Sequence, residues 1–236
     1  MGSSDKNSKY LLEKSFGQVL LKRVYEIIFP RKCLFCDKVL DLAFEISCDG
    51  CRGLYLRDFV RLSRDFTFDA YSACDYGDKL VSQAVIRFKY VGNKYLAGSM
   101  AEVIYKSFGM IDADMLVCVP LHKSRLAERG YNQSALLAME LGSVMGLPAY
   151  DGLIRTRRTK KQFDLNPNER ILNVLGAFDL QKDFCVRGKN VMLVDDILTT
   201  GVTAAECIRV LSEAGALSAG LITFAVTSPF ADKTFA

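Results

Sequence analysis

The sequence predicts an α/β protein in which a mainly parallel, doubly wound sheet is preceded by a small four-cysteine module. From about residue 95 to 226, segments with helical spacing of apolar residues alternate with short apolar segments. This alternation is typical of parallel strands joined by helices. Four cysteines lie in two close pairs before this region. The predicted division is an N-terminal amphipathic helix at 1–29, the four-cysteine module at 30–60 and the α/β domain at 61–236.

Size and composition fit one α/β core with a small appendage. The chain has 236 residues, of which 50% are hydrophobic and 25% charged, and this length suffices to bury such a core. The formal net charge of +4 is small for a dedicated nucleic-acid-binding domain. No uncharged apolar run approaches the roughly 20 residues of a membrane span, and charged residues interrupt the N-terminus where a signal peptide needs an apolar run. We therefore expect a soluble cytoplasmic protein.

Apolar spacing places the elements along the chain. An amphipathic helix is predicted over about 8–28, ended by Pro30. Packing on its own protein is the main interpretation of this helix, and binding to a membrane surface is the alternative. The later elements are expected as strands within 66–76, helices at 80–90 and 95–108, a strand at 115–119, a helix at 132–145, a strand at 191–194, a helix at 203–214 and a strand at 217–226.

The two C-x-x-C pairs predict a structural zinc site. Cys33 with Cys36, and Cys48 with Cys51, can each direct two thiolates at one ion from a tight turn. Four thiolates leave no open coordination position, so the metal would stabilise the fold of a segment too small to fold alone. The alternative is redox-active or incidental pairs, although redox motifs of this type follow a strand in a βαβ unit. The other cysteines are expected in the core, namely Cys74, Cys118, Cys185 and Cys207.

The most specific chemical signal is an apolar strand that runs into two acids and then into a Thr/Gly-rich turn, at residues 191–203. Such a strand delivers its loop to the edge of the sheet where ligands bind in open α/β folds. Asp195 and Asp196 offer hard oxygen atoms to ribose hydroxyls or to a Mg²⁺ ion carried by a sugar phosphate. A phosphate is expected at the small residues of the turn and the helix N-terminus behind it, which are Thr199, Thr200, Gly201 and Thr203.

Neither a P-loop nor a G-x-G-x-x-G sequence stands at this junction, so two common nucleotide sites are excluded there. The ligand-free alternative is that the acids cap the following helix and the threonines form a turn. An acid pair alone leaves that alternative open. The complete string of strand, acids and turn is much more specific than an acid pair.

The segment at 193–201 resembles the phosphoribosyl-pyrophosphate (PRPP) binding signature of type I phosphoribosyltransferases. In that family the two acids hold the ribose hydroxyls and the following loop holds the 5-phosphate. Further segments resemble the ComF (competence protein F, GntX-like) branch: 119–122, Arg125, 129–133, Arg155, Arg157, Thr159, Gln162, Arg170, Asn173 and 176–178. With the cysteine pairs, the resemblance covers about 27–226 without an obvious departure. It implies a type I phosphoribosyltransferase-like fold.

Basic residues are expected on the pyrophosphate side of the ligand, where arginine suits bidentate phosphate contacts. These residues are His122, Lys123, Arg125, Arg129, Arg155 and Arg157. His122, the only histidine, is interpreted as a loop residue near the phosphates. The basic run at 155–161 is either a mobile hood over a polyanion or a solvated surface segment.

Two classes of function follow. The first is an enzyme that transfers a phosphoribosyl group from PRPP, with Mg²⁺, to a base or amine. The second, implied by resemblance to the ComF family, is an accessory role in DNA uptake or utilisation, with single-stranded DNA or competence-machinery proteins as partners. Four aromatic residues are candidates for contacts with the DNA strand, although core packing is the simpler interpretation of them: Phe35, Tyr55, Phe88 and Tyr90.

Overall fold

The structure is a computed structural model and describes residues 11, 31–40, 45–55, 60–61, 68–90, 93–157 and 173–227. Of the helix predicted over 8–28, only residue 11 is described. The prediction is wrong at that position, because Leu11 forms an isolated antiparallel bridge with Tyr150 and packs against the core. The basic run at 155–161 lies outside them from residue 158 onward, as do Thr159, Gln162 and Arg170.

A six-stranded sheet forms the centre of the described chain. Its strands are β1 (Val60–Arg61), β2 (Ala70–Asp75), β3 (Met115–Cys118), β4 (Ala149–Tyr150), β7 (Asn190–Leu198) and β8 (Ser218–Val226). They lie in the order β1-β2-β8-β7-β3-β4. β1 is antiparallel to β2, and all other neighbours are parallel. A separate antiparallel pair consists of β5 (Leu153–Arg155) and β6 (Phe178–Leu180). The predicted doubly wound, mainly parallel sheet is confirmed.

The helices of the described residues are α1 (Lys79–Tyr90), α2 (Leu96–Phe108), α3 (Lys123–Arg129), α4 (Gln133–Met145) and α5 (Val202–Glu213), with a 3-10 helix at Asp49–Leu54. Four of them agree with the predicted helices to within one residue at each end. The sequence analysis did not predict α3, which buries none of its residues and so carries no apolar stripe. It also did not predict β1, β4, β5 and β6, whose two or three residues are too short for a period to emerge. Every helix in the described part of the chain is too short or too polar to cross a bilayer.

Helices and loops cover both faces of the sheet, and the strands alternate between the two cores. Leu116 and Cys118 of β3 pack in one core with α1, α2 and α4. Met115 and Val117 of the same strand pack in the other, with α5 and the β5–β6 pair. Because a parallel strand is buried on both faces, its sequence is continuously apolar, which is why β3, β7 and β8 were recognisable.

The direction of the chain connections reverses between β3 and β7. The chain leaves β3 through α4 to β4 on one side, and it leaves β7 through α5 to β8 on the other. Consequently the loops that follow these two neighbouring strands diverge to opposite faces. In open α/β sheets such a reversal leaves a crevice at the carboxyl ends of the strands, where ligands bind.

The four-cysteine segment packs directly into the core of the sheet. Phe35, which is 1% exposed, stacks on Tyr55 with ring centroids 5.9 Å apart and on Phe224 of β8 at 6.3 Å. The guanidinium of Arg87, in α1, donates to the carbonyl oxygens of the first knuckle and lies 3.0 Å from Asp37. The predicted boundary at residue 60 remains a prediction, but apolar side chains from both sides of it share one core.

Of the cysteines outside the pairs, Cys74, Cys118 and Cys207 are buried, as expected. Cys185 is exposed, so the expectation that it packs in the core was wrong. It lies in the turn-rich loop between β6 and β7, where only its neighbours Phe184 and Val186 reach the core.

Candidate functional site

Asp195 and Asp196 lie inside β7 and not after it. The strand was predicted to end at Val194 but continues to Leu198, because β8 keeps pairing with it as far as Val226. On the other side, pairing with β3 ends at Val194. The two acids therefore stand on the stretch of β7 that outruns β3, and they face the crevice at the reversal point of the sheet.

Lys89, in the last turn of α1, neutralises one of the acids. Its Nζ lies 3.0 Å from Asp196 Oδ1, and the side chains of Lys89 and Asp196 are 19% and 9% exposed. Burial works against the charge of Lys89, but Asp196 and Asp195 outweigh burial and raise the pKa of Lys89. The sequence analysis missed this residue, since nothing in the apolar spacing of α1 indicates that a lysine beside buried Phe88 reaches the crevice.

Asp195 is held by hydrogen bonds from neutral groups. Ser134 Oγ, at the start of α4, donates to Asp195 Oδ1 at 2.7 Å, and the backbone N–H of Asp196 donates to the same oxygen at 2.9 Å. Burial and the charge of Asp196 raise the pKa of Asp195 to about 6, against the opposing effects of Ser134 and Lys89. The raised pKa means that ionisation of Asp195 is disfavoured in the absence of a ligand.

The Thr/Gly turn connects β7 to the N-terminus of α5. Gly201 has φ of +73° and precedes the first helical residue, Val202. A side chain is strained at this φ, so glycine is the residue that allows so sharp an entry into the helix. The first backbone N–H groups of a helix have no acceptor within the helix, and those of α5 begin at the crevice.

These elements enclose an open cavity of about 220 Å³. The predicted site residues that line it are Asp195, Asp196, Thr199, Thr200, Gly201, Thr203, Arg125, Arg129 and Arg155. The others are placed elsewhere among the described residues. His122 caps α3, its Nδ1 accepting from the N–H of Ser124 at 3.2 Å, and Lys123 begins that helix. Arg157 donates to the carbonyl oxygen of Leu175 at 2.6 Å.

Arg129 and Gln133 form a polar wall beside the acids. Arg129 donates to Gln133 Oε1 at 3.0 Å and to the hydroxyl of Tyr90 at 3.3 Å, and its guanidinium lies 5.1 Å from the centre of the Tyr90 ring. Gln133 is only 2% exposed, yet its Nε2 has no hydrogen-bond partner within the described chain. A buried donor without an acceptor costs about 1–3 kcal/mol. An acceptor atom of a ligand in this cavity would remove that cost.

Arg155, which also lines the cavity, comes from β5. Its guanidinium lies 5.2 Å from the centre of the Phe178 ring on β6. Burial and the nearby Arg125 lower the pKa of Arg155 to about 10. Two partly desolvated cations near one another are stabilised by an anion between them.

The four paired cysteines converge as a tetrahedral metal site requires. Their Sγ atoms all lie within 4.8 Å of one another, and those of Cys36 and Cys48 are 3.7 Å apart. A zinc ion with Zn–S bonds of about 2.3 Å places its sulfur ligands about 3.8 Å apart. The first knuckle is closed by the N–H of Cys33, which donates to the carbonyl oxygen of Lys38 at 2.7 Å.

The cluster has uneven acidities. Burial opposes a thiolate at Cys33, but backbone amides of Cys36, Cys48 and Phe35 outweigh burial and lower the pKa of Cys33 to about 7. Burial and the neighbouring cysteines raise the pKa of Cys51. Four thiolates at this spacing therefore need a cation, and the four cysteines can hold a metal ion.

Curated proteins similar to this chain include three that are named for competence or for DNA utilisation. Competence protein F of Haemophilus influenzae is 25% identical over 215 residues, which are 79% of this chain and 93% of the relative. DNA utilization protein YhgH of Salmonella typhi is 34% identical, over 61% of this chain and 66% of the relative. Competence protein ComFC of Bacillus subtilis is 33% identical, over 61% of this chain and 58% of the relative. No family model matches the chain.

Solved structures with partial similarity include a PRPP amidotransferase and an adenine phosphoribosyltransferase. The glutamine PRPP amidotransferase of B. subtilis has a TM-score of 0.41 at 20% identity, covering 58% of this chain and 30% of that one. An adenine phosphoribosyltransferase has a TM-score of 0.37 at 17% identity, covering 62% and 76%. The fold class rests on the sheet topology and not on these scores.

Because the pKa of Asp195 is raised, we expect its ionised carboxylate to lower the stability of the ligand-free protein. Since the folded-state pKa of about 6 lies above the unfolded value of about 3.9, ionisation of Asp195 reduces stability as pH rises from about 4 to 6. Asp195→Asn, whose amide oxygen can still accept from Ser134, should be more stable than the parent by on the order of 1–3 kcal/mol at pH 8. Near pH 4 the two proteins should unfold alike in chemical denaturation.

The control for this prediction is Asp112→Asn, at an exposed loop position, which should leave the stability difference near zero at both pH values. An Asp195→Asn variant that is less stable than the parent at pH 8 would contradict the assignment of strain to this carboxylate.

Proposed function

Because this chain belongs to the ComF family of phosphoribosyltransferase-fold proteins, we propose that it binds PRPP or another ribose phosphate in the crevice between β3 and β7. One observation carries the proposal. A single cavity joins the two acids of β7, the Thr/Gly turn and basic side chains from three other segments. If the acids only capped the following helix and the threonines only formed a turn, neither would need to share a cavity with the cations.

Each chemical group of PRPP can be paired with suitable residues of the cavity. The 5-phosphate would lie at the turn, where Thr200, Gly201 and the first N–H groups of α5 meet it. The ribose hydroxyls would donate to the carboxylates of Asp195 and Asp196. The pyrophosphate would lie on the side of Arg125 and Arg129, where Gln133 Nε2 also has a donor to offer.

Phosphoribosyl transfer is the reaction that this arrangement supports best. The bond between the anomeric carbon and the pyrophosphate oxygen breaks with oxocarbenium-like character, and the base or amine then bonds to that carbon. Charges positioned in advance can stabilise such a transition state without a side-chain nucleophile. Arg125 and Arg129 would stabilise the departing pyrophosphate, while the carboxylates lie near the ribose.

Magnesium was expected from the sequence, and the acid pair fits it only in part. Asp195 and Asp196 offer the oxygen ligands that Mg²⁺ prefers, but Lys89 Nζ already lies 3.0 Å from Asp196. We therefore propose that any magnesium enters with the pyrophosphate of the ligand and does not reside on the acid pair. PRPP supplies several phosphate oxygens for it.

Binding of single-stranded DNA is the second candidate, and the rim of the cavity favours it. Phe35, Tyr55 and Phe88 are buried and cannot contact a strand. Tyr90 is 64% exposed and carries Arg129 against its ring. An exposed aromatic ring beside arginines is suited to base stacking and backbone contact. The relatives named for competence and DNA utilisation support this candidate, as they do a role among competence-machinery proteins.

We further propose that the four-cysteine cluster holds one structural zinc ion. The sulfur spacing and the closed set of four thiolates support it. Because Phe35 between the first two cysteines packs on Phe224 of β8, the metal would stabilise the whole core and not only the local turn.

The ribose phosphate proposal predicts the behaviour of a double variant, Asp195→Asn with Asp196→Asn. In calorimetry the parent should bind PRPP with Mg²⁺ and should also bind ribose 5-phosphate. The double variant should fold and bind PRPP at least about tenfold more weakly, because charge-assisted hydrogen bonds to the hydroxyls contribute about 1.5–3 kcal/mol. Unchanged affinity for PRPP would mean that the two acids are only structural caps.

Phosphoribosyl transfer is tested separately. The parent is incubated with PRPP, Mg²⁺ and a panel of bases, and the release of pyrophosphate is measured.

The DNA candidate predicts salt-sensitive binding of short oligothymidine, measured by fluorescence anisotropy. Tyr90→Ala should weaken it by about 1–3 kcal/mol if the ring stacks on a base, whereas Leu217→Ala, exposed near the opposite end of the sheet, should not. Affinity should fall as salt rises, because phosphate contacts release counterions. Equal binding by the two variants would remove Tyr90 from the interface.

The zinc proposal predicts one tightly held zinc per chain by metal analysis. Cys48→Ser should lose the metal and lower the Tm of the main unfolding transition by on the order of 5 °C or more, because the segment shares its core with the sheet. Cys185→Ser, at the exposed cysteine, is the matched control and should keep both metal and Tm. The proposal would be refuted if removing zinc from the parent protein left its melting curve unchanged.

A further inference from the structure

We propose that Lys89 is a built-in cation for the acid pair, so that the cavity binds the ribose 5-phosphate half of its ligand without a divalent metal. This inference rests on the proposed function and deepens it. It assigns Lys89 as a positioning residue, which acts on the ligand through Asp196.

The contact between Lys89 and Asp196 is part of the core and not a chance surface pair. The Nζ–Oδ1 distance is 3.0 Å and both side chains are largely buried. The adjacent Phe88 is fully buried, and its carbonyl oxygen accepts from the hydroxyl of Tyr131. The last turn of α1 is thereby fixed against the start of α4, and the ammonium group is held where the acids need it.

Each of the two carboxylates has partners within the described chain. Asp196 has Lys89, while one oxygen of Asp195 accepts from Ser134 and from the N–H of Asp196. Other charged and titratable groups face the pair from each neighbouring element: Arg129 at the end of α3, Arg155 on β5, Cys118 on β3 and Cys207 on α5. A divalent ion brought to Asp196 would lie close to an ammonium and would be repelled by it.

The total charge of the cavity also matches a phosphate monoester. Its lining contains four cationic side chains, Lys89, Arg125, Arg129 and Arg155, against two carboxylates. Positive charge is therefore in excess before any ligand arrives, and a phosphate monoester carries about −1.5 to −2 at neutral pH. Without Lys89, the same lining would be closer to neutral and the acids would need a cation from solution.

Lys89→Met separates charge from packing, since methionine keeps an unbranched stem. Lys89→Arg keeps the charge. Lys94→Met is the matched control, because Lys94 lies over the ring of Tyr131 at 5.1 Å but does not line the cavity. Thermal unfolding of each variant establishes that it is folded before binding is measured.

The experiment is calorimetric titration with ribose 5-phosphate, once in EDTA and once in Mg²⁺. The parent should bind equally in both buffers. Lys89→Met should bind at least about tenfold more weakly in EDTA. It should recover part of the loss in Mg²⁺, because Asp196 would then lack its ammonium partner and could accept the metal ion. Lys89→Arg and Lys94→Met should behave as the parent does.

Three outcomes would overturn the inference while leaving ribose phosphate binding intact. In the first, the parent binds ribose 5-phosphate only with Mg²⁺. In the second, Lys89→Met binds it in EDTA as tightly as the parent does. In the third, Lys89→Met loses the same affinity in both buffers, which would indicate a packing defect. A parent that binds ribose 5-phosphate in neither buffer would overturn the proposed function, and this inference with it.

Discussion

Two adjacent carboxylates on a buried strand constrain the rest of this molecule. They can lie side by side only because β7 outruns β3 and because neighbouring elements supply compensation: an ammonium from α1, a hydroxyl from α4 and a backbone N–H from β7 itself. The residual strain falls on Asp195, whose pKa is raised to about 6. Strain of this kind is common at functional sites, where stability is exchanged for a site prepared for its ligand.

Helix α1 connects the two chemical centres of the chain. Arg87 clamps the carbonyl oxygens of the first cysteine knuckle, and Lys89 two residues later reaches Asp196. Residues two apart on a helix point to opposite sides, with Phe88 filling the core between them. One turn of helix thus depends on both the four-cysteine cluster and the acid pair, and a shift of that turn would disturb both.

What the sequence predicted depends on signals that are local. Each predicted site lies within a short stretch of the sequence. The apolar run, the two acids and the Thr/Gly turn all fall within 191–203, and the two C-x-x-C pairs within 33–51. Such motifs can be recognised without knowledge of the fold. Lys89, Ser134 and Gln133 come from helices distant in sequence, and only the folded sheet brings them to the crevice. The end of β7 was misplaced for a similar reason, since pairing with β8 extends the strand through polar residues that look like a loop.

The stacking of Phe35 on Phe224 has a consequence for how the chain assembles. The two rings come from segments far apart in the sequence. β8 is central in the sheet but is the last strand along the described chain. Contacts between such distant segments form late, because a long loop must close before they are made. Phe35 precedes Phe224 by about 190 residues, so the aromatic face of the cysteine segment stays uncovered until β8 has been synthesised and has joined the sheet. Until then the nascent chain exposes an apolar surface of the kind that makes folding intermediates prone to aggregation.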